Sequence, residues 1–266
     1  MKGLILDWSG TVADAYVIAP AVVFVDVFAR QGVEITMEEA RGPMGLRKDL
    51  HIAALTRDPE IRERWRKVRD ADPTQDDIDN MYADFVPMQL DCLPQYTTLL
   101  PGVAETTKEI QSDGIKIGMT TGFVRSMVDI LEADARRQGY HPDTTVAGDE
   151  VMHGARPRPF MIYRNLDLLD IHPIQSVIKV DDTVSGVAEG LEAGCWTVGI
   201  ARYSNYMNIN SLEQAQSVSG EDVAHRLSKT RELLLKGGSH YVINEFPELL
   251  DVIDDVNERL ARGEKP

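Results

Sequence analysis

Sulfur is scarce in this chain. Its two cysteines, Cys92 and Cys195, stand far apart in 266 residues. No disulfide framework and no cysteine-type metal spacing is encoded. Reduced thiols of a cytoplasmic protein are the expectation. Positive charge is in deficit as well: 28 Lys and Arg against 43 Asp and Glu leave a net charge of −15. That balance argues against a general nucleic-acid binder, which would show a basic stripe, and against anionic membrane surfaces. A small anionic substrate stays open, because a local site can oppose the global charge. No apolar run reaches membrane-spanning length. No charged segment followed by an apolar stretch opens the chain as a leader would, and there is no internal repeat or low-complexity tract.

What is present suffices for a large core, with 43% hydrophobic and 27% charged residues. The organising stretch comes early. Leu4, Ile5 and Leu6 end abruptly at Asp7, and Ser9, Gly10 and Thr11 follow as a turn. A short apolar run bounded by turn residues reads as a fully buried strand. Its carboxylate stands where ligands bind in open α/β sheets, beyond the strand's carboxyl end. The same aspartate could equally cap the next segment, and the later stretches decide between the two.

From residue 17 to about 98 the pattern holds only helices. Expected are an apolar run over 21–28, a helix opened by the Thr36/Glu39 capping box, one over about 45–55, one from Pro59 through Trp65, and one capped by Thr74 running to about 90. Strands and helices then alternate: a helix through Ile110, a strand over 115–119, a helix over 124–137, and a strand over 144–146. A helix over 160–169, a strand over 177–180, a helix over 184–193 and a strand over 196–200 follow. The tail adds a helix over 223–235, a strand over 240–243 and a helix over 247–261. Alternation of this kind predicts βαβ units and a Rossmann-like parallel sheet. The expected fold class is α/β, with residues 1–16 and 99–266 as the core domain and residues 17–98 as an inserted all-helical domain.

Three of the predicted strands end in polar clusters: Asp7, Thr121 with Gly122, and Asp181 with Asp182. Arg156 lies between the last two. Strand ends of a parallel sheet share one edge, so these groups can converge. Carboxylates from two strand ends suit a hard cation such as Mg²⁺. A hydroxyl and a guanidinium suit phosphate oxygens, and a carboxylate beside them could accept a phosphoryl group. The order of nucleophilic Asp, Thr, basic residue and acidic pair resembles the haloacid dehalogenase superfamily, and the helical insertion resembles its cap. Phosphatases of that superfamily carry a second Asp two residues after the nucleophile as general acid. Here that position is Ser9, so a poor oxygen leaving group would lack its proton donor.

The insertion offers different chemistry. On a helix, Met44, Lys48 and His51 share one face. Burial against Met44 and the charge of Arg47 would lower the Lys48 pKa and make its amine a nucleophile toward a carbonyl. The run Arg41-Gly42-Pro43-Met44-Gly45-Leu46, with Lys48 and His51, resembles the cap signature of the phosphonoacetaldehyde hydrolases (phosphonatases). So do Asp7-Trp8 with Gly10-Thr11, the 114–122 stretch, Arg156-Pro157 with Pro159, and Trp196-Thr197-Val198-Gly199. The resemblance implies Mg²⁺-dependent cleavage of a carbon–phosphorus bond. Asp7, Lys48, His51 and Met44 would be catalytic. Ser9, Thr121, Gly122 and Arg156 would hold the phosphoryl group, and Asp7, Ser9, Asp182 and Asp181 the metal. It also implies a homodimer acting on a small phosphonate, with no nucleic-acid or membrane partner. The family usually has Tyr where this chain has Phe123, and Gly-Asp-Thr followed by a further Asp where this chain has Asp181-Asp182-Thr183 and Gly186. Three rival readings are another carbonyl phosphonate, a phosphate monoester, and a non-catalytic binding protein on a retained fold.

Overall fold

The computed structural model describes residues 1–266. Its strands are β1 (Gly3–Leu6), β2 (Lys116–Thr120), β3 (Thr144–Val146), β4 (Val177–Asp181), β5 (Trp196–Ile200) and β6 (Tyr241–Ile243). Between β1 and β2 come α1 (Ile18–Arg30), α2 (Met37–Arg41), α3 (Lys48–Arg57), α4 (Pro59–Arg69), α5 (Gln75–Cys92) and α6 (Val103–Ser112). The rest are α7 (Arg125–Arg137), α8 (Phe160–Leu169), α9 (Val184–Ala193), α10 (Leu212–Ser217), α11 (Gly220–Lys236) and α12 (Leu249–Ala261).

The strands form one parallel sheet in the order β3-β2-β1-β4-β5-β6. β1 pairs with β2 on one side and β4 on the other. Every residue of β1, β4 and β5 is buried, as expected of strands covered on both faces, which read as continuous apolar runs. The chain order reverses at β1, so the crevice beyond its carboxyl end is the ligand position of a doubly wound sheet. Asp7 stands there, held to the sheet by its own N–H donating to the Val180 carbonyl at 3.1 Å.

Helices α1 to α5 leave and rejoin the sheet at one place. The Leu100 N–H donates to the Val12 carbonyl at 2.8 Å, and Ala13 bridges Leu99 in antiparallel fashion. Their apolar faces, with Phe24, Phe28, Trp65 and Phe85, join the same core as Leu4, Ile117 and Ile178 of the sheet. The helix starts follow the sequence. Thr36 and Thr74 each close a capping box, and Thr183 accepts from the Gly186 N–H.

Three departures matter. The helix expected from about residue 45 begins at Lys48, because Gly45 turns the chain at φ +95°. Met44 therefore lies in the turn before α3, and the expected common helix face of Met44, Lys48 and His51 does not exist. Helix α10 and the 3₁₀ turn Asn205–Met207 fall in a stretch without apolar periodicity. Pro247 is the second residue of a 3₁₀ turn, Phe246–Glu248, and α12 follows at Leu249.

Candidate active site

The strand-end residues do converge. Asp7, Ser9, Thr121, Gly122, Arg156 and Asp182 line one pocket, and Met44 and Lys48 line it from the helical side. Asp181 lies beneath, completely buried. Tight turns bring the two sides together. A Cβ on Gly122 would stand 2.7 Å from the Leu46 carbonyl, and one on Gly45 would stand 2.7 Å from Thr183 Oγ1. Only hydrogen fits in either place. The Phe123 N–H donates to Thr121 Oγ1 at 3.1 Å and fixes that hydroxyl at the end of β2.

Arg156 is the hub. Its Nη2 donates to Asp7 Oδ1 at 2.5 Å and to Thr120 Oγ1 and O at 2.8 Å, and its Nε donates to Glu189 Oε2 at 3.0 Å. Its Nη1 lies 3.3 Å from Asp181 Oδ2. Burial opposes its charge, but the carboxylates of Asp181, Asp7 and Glu189 outweigh burial and hold the guanidinium firmly protonated. Lys179, wholly buried on β4, sits 2.9 Å from both Asp181 Oδ2 and Thr120 Oγ1. The Lys179–Glu189 pair was not anticipated. Its only sequence signal is a lysine inside the apolar run of β4 and a glutamate on the buried side of α9.

If all were ionised, the four carboxylates Asp7, Asp181, Asp182 and Glu189 would exceed the cations Arg156 and Lys179 by two negative charges. The strain shows in the pKa values. Burial pushes Asp182 well up, and Asp181 and Asp7 push it further. Asp7 is also raised by burial, against the pull of Arg156. Asp181 is held low, because Arg156 and Lys179 overcome its burial.

These residues fit a divalent cation. One oxygen from each of Asp7, Asp181 and Asp182 lies within 4.8 Å of the others. Asp182 Oδ2 accepts the Asn205 N–H at 2.7 Å, while its buried Oδ1 has no partner. Such an orphaned anionic oxygen is costly unless paired. Asp181 is better served, since its Oδ1 accepts from the Thr183 N–H and hydroxyl at 3.0 and 2.7 Å.

Lys48 is 5% exposed and makes no hydrogen bond or ion pair. Its Nζ stands over the rings of Phe123 and Phe24, 4.7 and 5.7 Å from their centroids. Burial, opposed by Asp7 and assisted by Arg156, brings its pKa down to about 8. Arg47 is not the cause; it pairs with Asp49 at 2.7 Å. His51 shares α3 and the Phe24 contact with Lys48, which lies three residues before it. It is absent from the pocket lining, stacks on Phe24 at 3.8 Å, and its Nε2 bonds the Ala40 carbonyl at 2.8 Å.

A strand-end carboxylate, an acidic pair and a polar pocket lined from the helical side by Lys48 point to a class of hydrolase before any particular member. The sequence profile of the haloacid dehalogenase-like hydrolases matches residues 1–194. A phosphonoacetaldehyde hydrolase of Bacillus cereus (strain G9842) is 40% identical over 97% of this chain and 97% of its own length. That of Paraburkholderia phytofirmans is 39% identical, covering 100% of this chain and 99% of its own. The crystal structure of a phosphonoacetaldehyde hydrolase-like protein from Oleispira antarctica superposes with a TM-score of 0.95 at 37% identity, covering 100% of this chain and 95% of that one. A β-phosphoglucomutase from Clostridium difficile shares the fold alone, with a TM-score of 0.69 at 15% identity over 98% and 99% of the two chains. The chain thus belongs to the phosphonoacetaldehyde hydrolase family of the haloacid dehalogenase-like hydrolases.

Proposed function

We propose that this protein hydrolyses the carbon–phosphorus bond of phosphonoacetaldehyde to acetaldehyde and phosphate. The observation that carries the reading is Lys48, a buried amine without a hydrogen-bond partner and with a lowered pKa, facing the pocket of Asp7. Cleaving a carbon–phosphorus bond leaves electrons on carbon, and no acid at position 9 is needed if those electrons have a sink.

The neutral Lys48 amine condenses with the aldehyde, water leaves, and the imine nitrogen takes up a proton from solvent to give the iminium. The Asp7 carboxylate then attacks phosphorus. The carbon–phosphorus bonding pair moves into the iminium, giving an enamine on Lys48 and a phosphoryl group on Asp7. Water releases phosphate from Asp7. Protonation of the enamine carbon and hydrolysis of the imine release acetaldehyde and restore Lys48. Arg156, the Thr121 hydroxyl and the Gly122 backbone hold the phosphoryl oxygens. Asp7, Asp182, the Ser9 backbone and Asp181 would hold Mg²⁺, which supplies charge neutralisation for two anions brought together. Residues 17–98 act as a cap that carries Lys48 over the sheet edge and excludes water.

The test is phosphate release from phosphonoacetaldehyde alongside a phosphate monoester, together with borohydride reduction in the presence of the aldehyde. An adduct on Lys48 and inactivity of Lys48→Arg, which keeps charge but cannot form the imine, are expected. Retention of most activity by Lys48→Arg would reduce Lys48 to a phosphate-binding charge and leave a phosphatase.

A further inference from the structure

One buried cation serves neither the pocket nor the Arg156 hub. Arg41, at the end of α2, is 4% exposed and immediately precedes the turn that delivers Met44 and Lys48. Its guanidinium crosses from the helical layer into the loop after β5. There Nη2 donates to the Ile209 carbonyl at 2.6 Å, Nη1 to Asn205 Oδ1 at 3.1 Å, and Nε to Asn210 Oδ1 at 3.2 Å. Nη1 also donates to the Tyr16 carbonyl at 2.5 Å, at the entry to α1. The exchange is mutual, since Asn205 Nδ2 donates to the Arg41 carbonyl at 3.1 Å.

Asn205 faces two ways. Its side chain is paired with Arg41, and its backbone N–H is the donor that fixes Asp182 Oδ2 at 2.7 Å. The neighbouring Ser204 hydroxyl holds the Asp182 carbonyl at 2.8 Å, and the Tyr206 hydroxyl accepts the Val184 N–H at 3.0 Å at the start of α9. The loop that receives Arg41 is therefore the loop that aims the orphaned Asp182 Oδ1 into the pocket. A planar fork with five donors can satisfy acceptors on three sides at once, which a lysine cannot.

We propose that Arg41 and Asn205 form a clasp coupling the seating of the Lys48-bearing turn to the orientation of Asp182, so that both are positioning residues for the site. Release of the clasp frees Asn205, loosens its N–H bond to Asp182, and costs the cation a pre-aimed ligand. By linkage, a cation on Asp182 tightens the clasp and holds Lys48 over Asp7, since coupling between two sites is reciprocal. The catalytic consequence rests on the function proposed above; the effect on cation binding does not.

The experiment uses the full chain, with Mn²⁺ as the metal probe and acetaldehyde plus borohydride as the amine probe. Asn205→Ala keeps the backbone N–H to Asp182 and removes only the amide pair; Arg41→Lys keeps the charge and removes the fork. In both, the Mn²⁺ dissociation constant should rise about five-fold or more, the lower end of coupling between sites. Mn²⁺ should also cease to accelerate Lys48 adduct formation. Asn210→Ala, which touches Arg41 but not Asp182, should shift Mn²⁺ affinity by less than about two-fold, on the same scale. A loss of thermal stability in Asn205→Ala with unchanged Mn²⁺ affinity overturns the clasp and leaves an ordinary packing contact. A shift in Mn²⁺ affinity with no Lys48 adduct in the parent protein supports the clasp while overturning the proposed function.

Discussion

At the scale of single residues, the site is a matter of which charges are paired. Lys48 has no partner, and its value of about 8 sets a measurable profile. Borohydride-trappable adduct should rise roughly ten-fold per pH unit below that value, because only the neutral amine condenses. It should level off above about 8 instead of climbing toward the ordinary 10.5. A profile still rising at pH 10 would show an unperturbed lysine. The same shift has a stability sign. Below about 8 the buried amine must carry charge in the fold, which costs stability. Between about 8 and 10.5 the unfolded chain binds a proton that the folded one does not. Stability contributed by this group therefore rises with pH across that window. Asp7 gives the second expectation at this scale. Asp7→Asn keeps the shape and the Arg156 contact but is a far weaker nucleophile. Phosphate release should fall about 10³-fold or more, with an unchanged circular dichroism spectrum.

At the scale of elements, α9 shows how a missing side chain can be structural. A Cβ on Gly186 would lie 1.8 Å from Asp181 Oδ2, and that carboxylate cannot yield, because Lys179, Arg156 and Thr183 hold it. Gly→Ala inside a helix ordinarily stabilises by about 0.5–1 kcal/mol. Here Gly186→Ala should destabilise by about 1–3 kcal/mol through overpacking, read by chemical denaturation. The ordinary gain should reappear in an Asp181→Gly background. Elements were also where the sequence was most informative. Strands β1 and β4 end at polar clusters, and Thr36 and Thr74 announce their helices through capping chemistry that is local by nature. The acidic pair, Thr121 and Arg156 could be brought to one edge from topology alone. The rest was hidden for physical reasons. Gly45 breaks the helix through a positive φ, which moved Met44 off the helix that carries Lys48 and His51. Lys179 and Glu189 each look like a blemish in an apolar pattern until the fold places them side by side. The loop over 204–210, which aims Asp182, has no periodicity to read.

At the scale of the whole molecule, the surplus of negative charge under the pocket links cation binding to stability. Saturating Mg²⁺ at about 100 times its dissociation constant should stabilise the fold by about 2.7 kcal/mol, visible as a raised melting temperature that chelation reverses. Asp182→Ala should abolish that increase, and an equal increase in the variant would place the cation elsewhere. The strand order also has a temporal side. β1 is flanked by β2 and β4, whose residues begin at Lys116 and Val177. At ribosomal speeds of roughly 5–20 residues per second, β1 waits on the order of ten to thirty seconds before both neighbours have been made. The helices of the insertion, built from local contacts, form within that interval. Until β4 is made, one edge of the strand that leads to Asp7 stays without its partner. Synthesis makes Asp7 early and assembly encloses it late, so the waiting time of the nascent chain is written into the position of one strand.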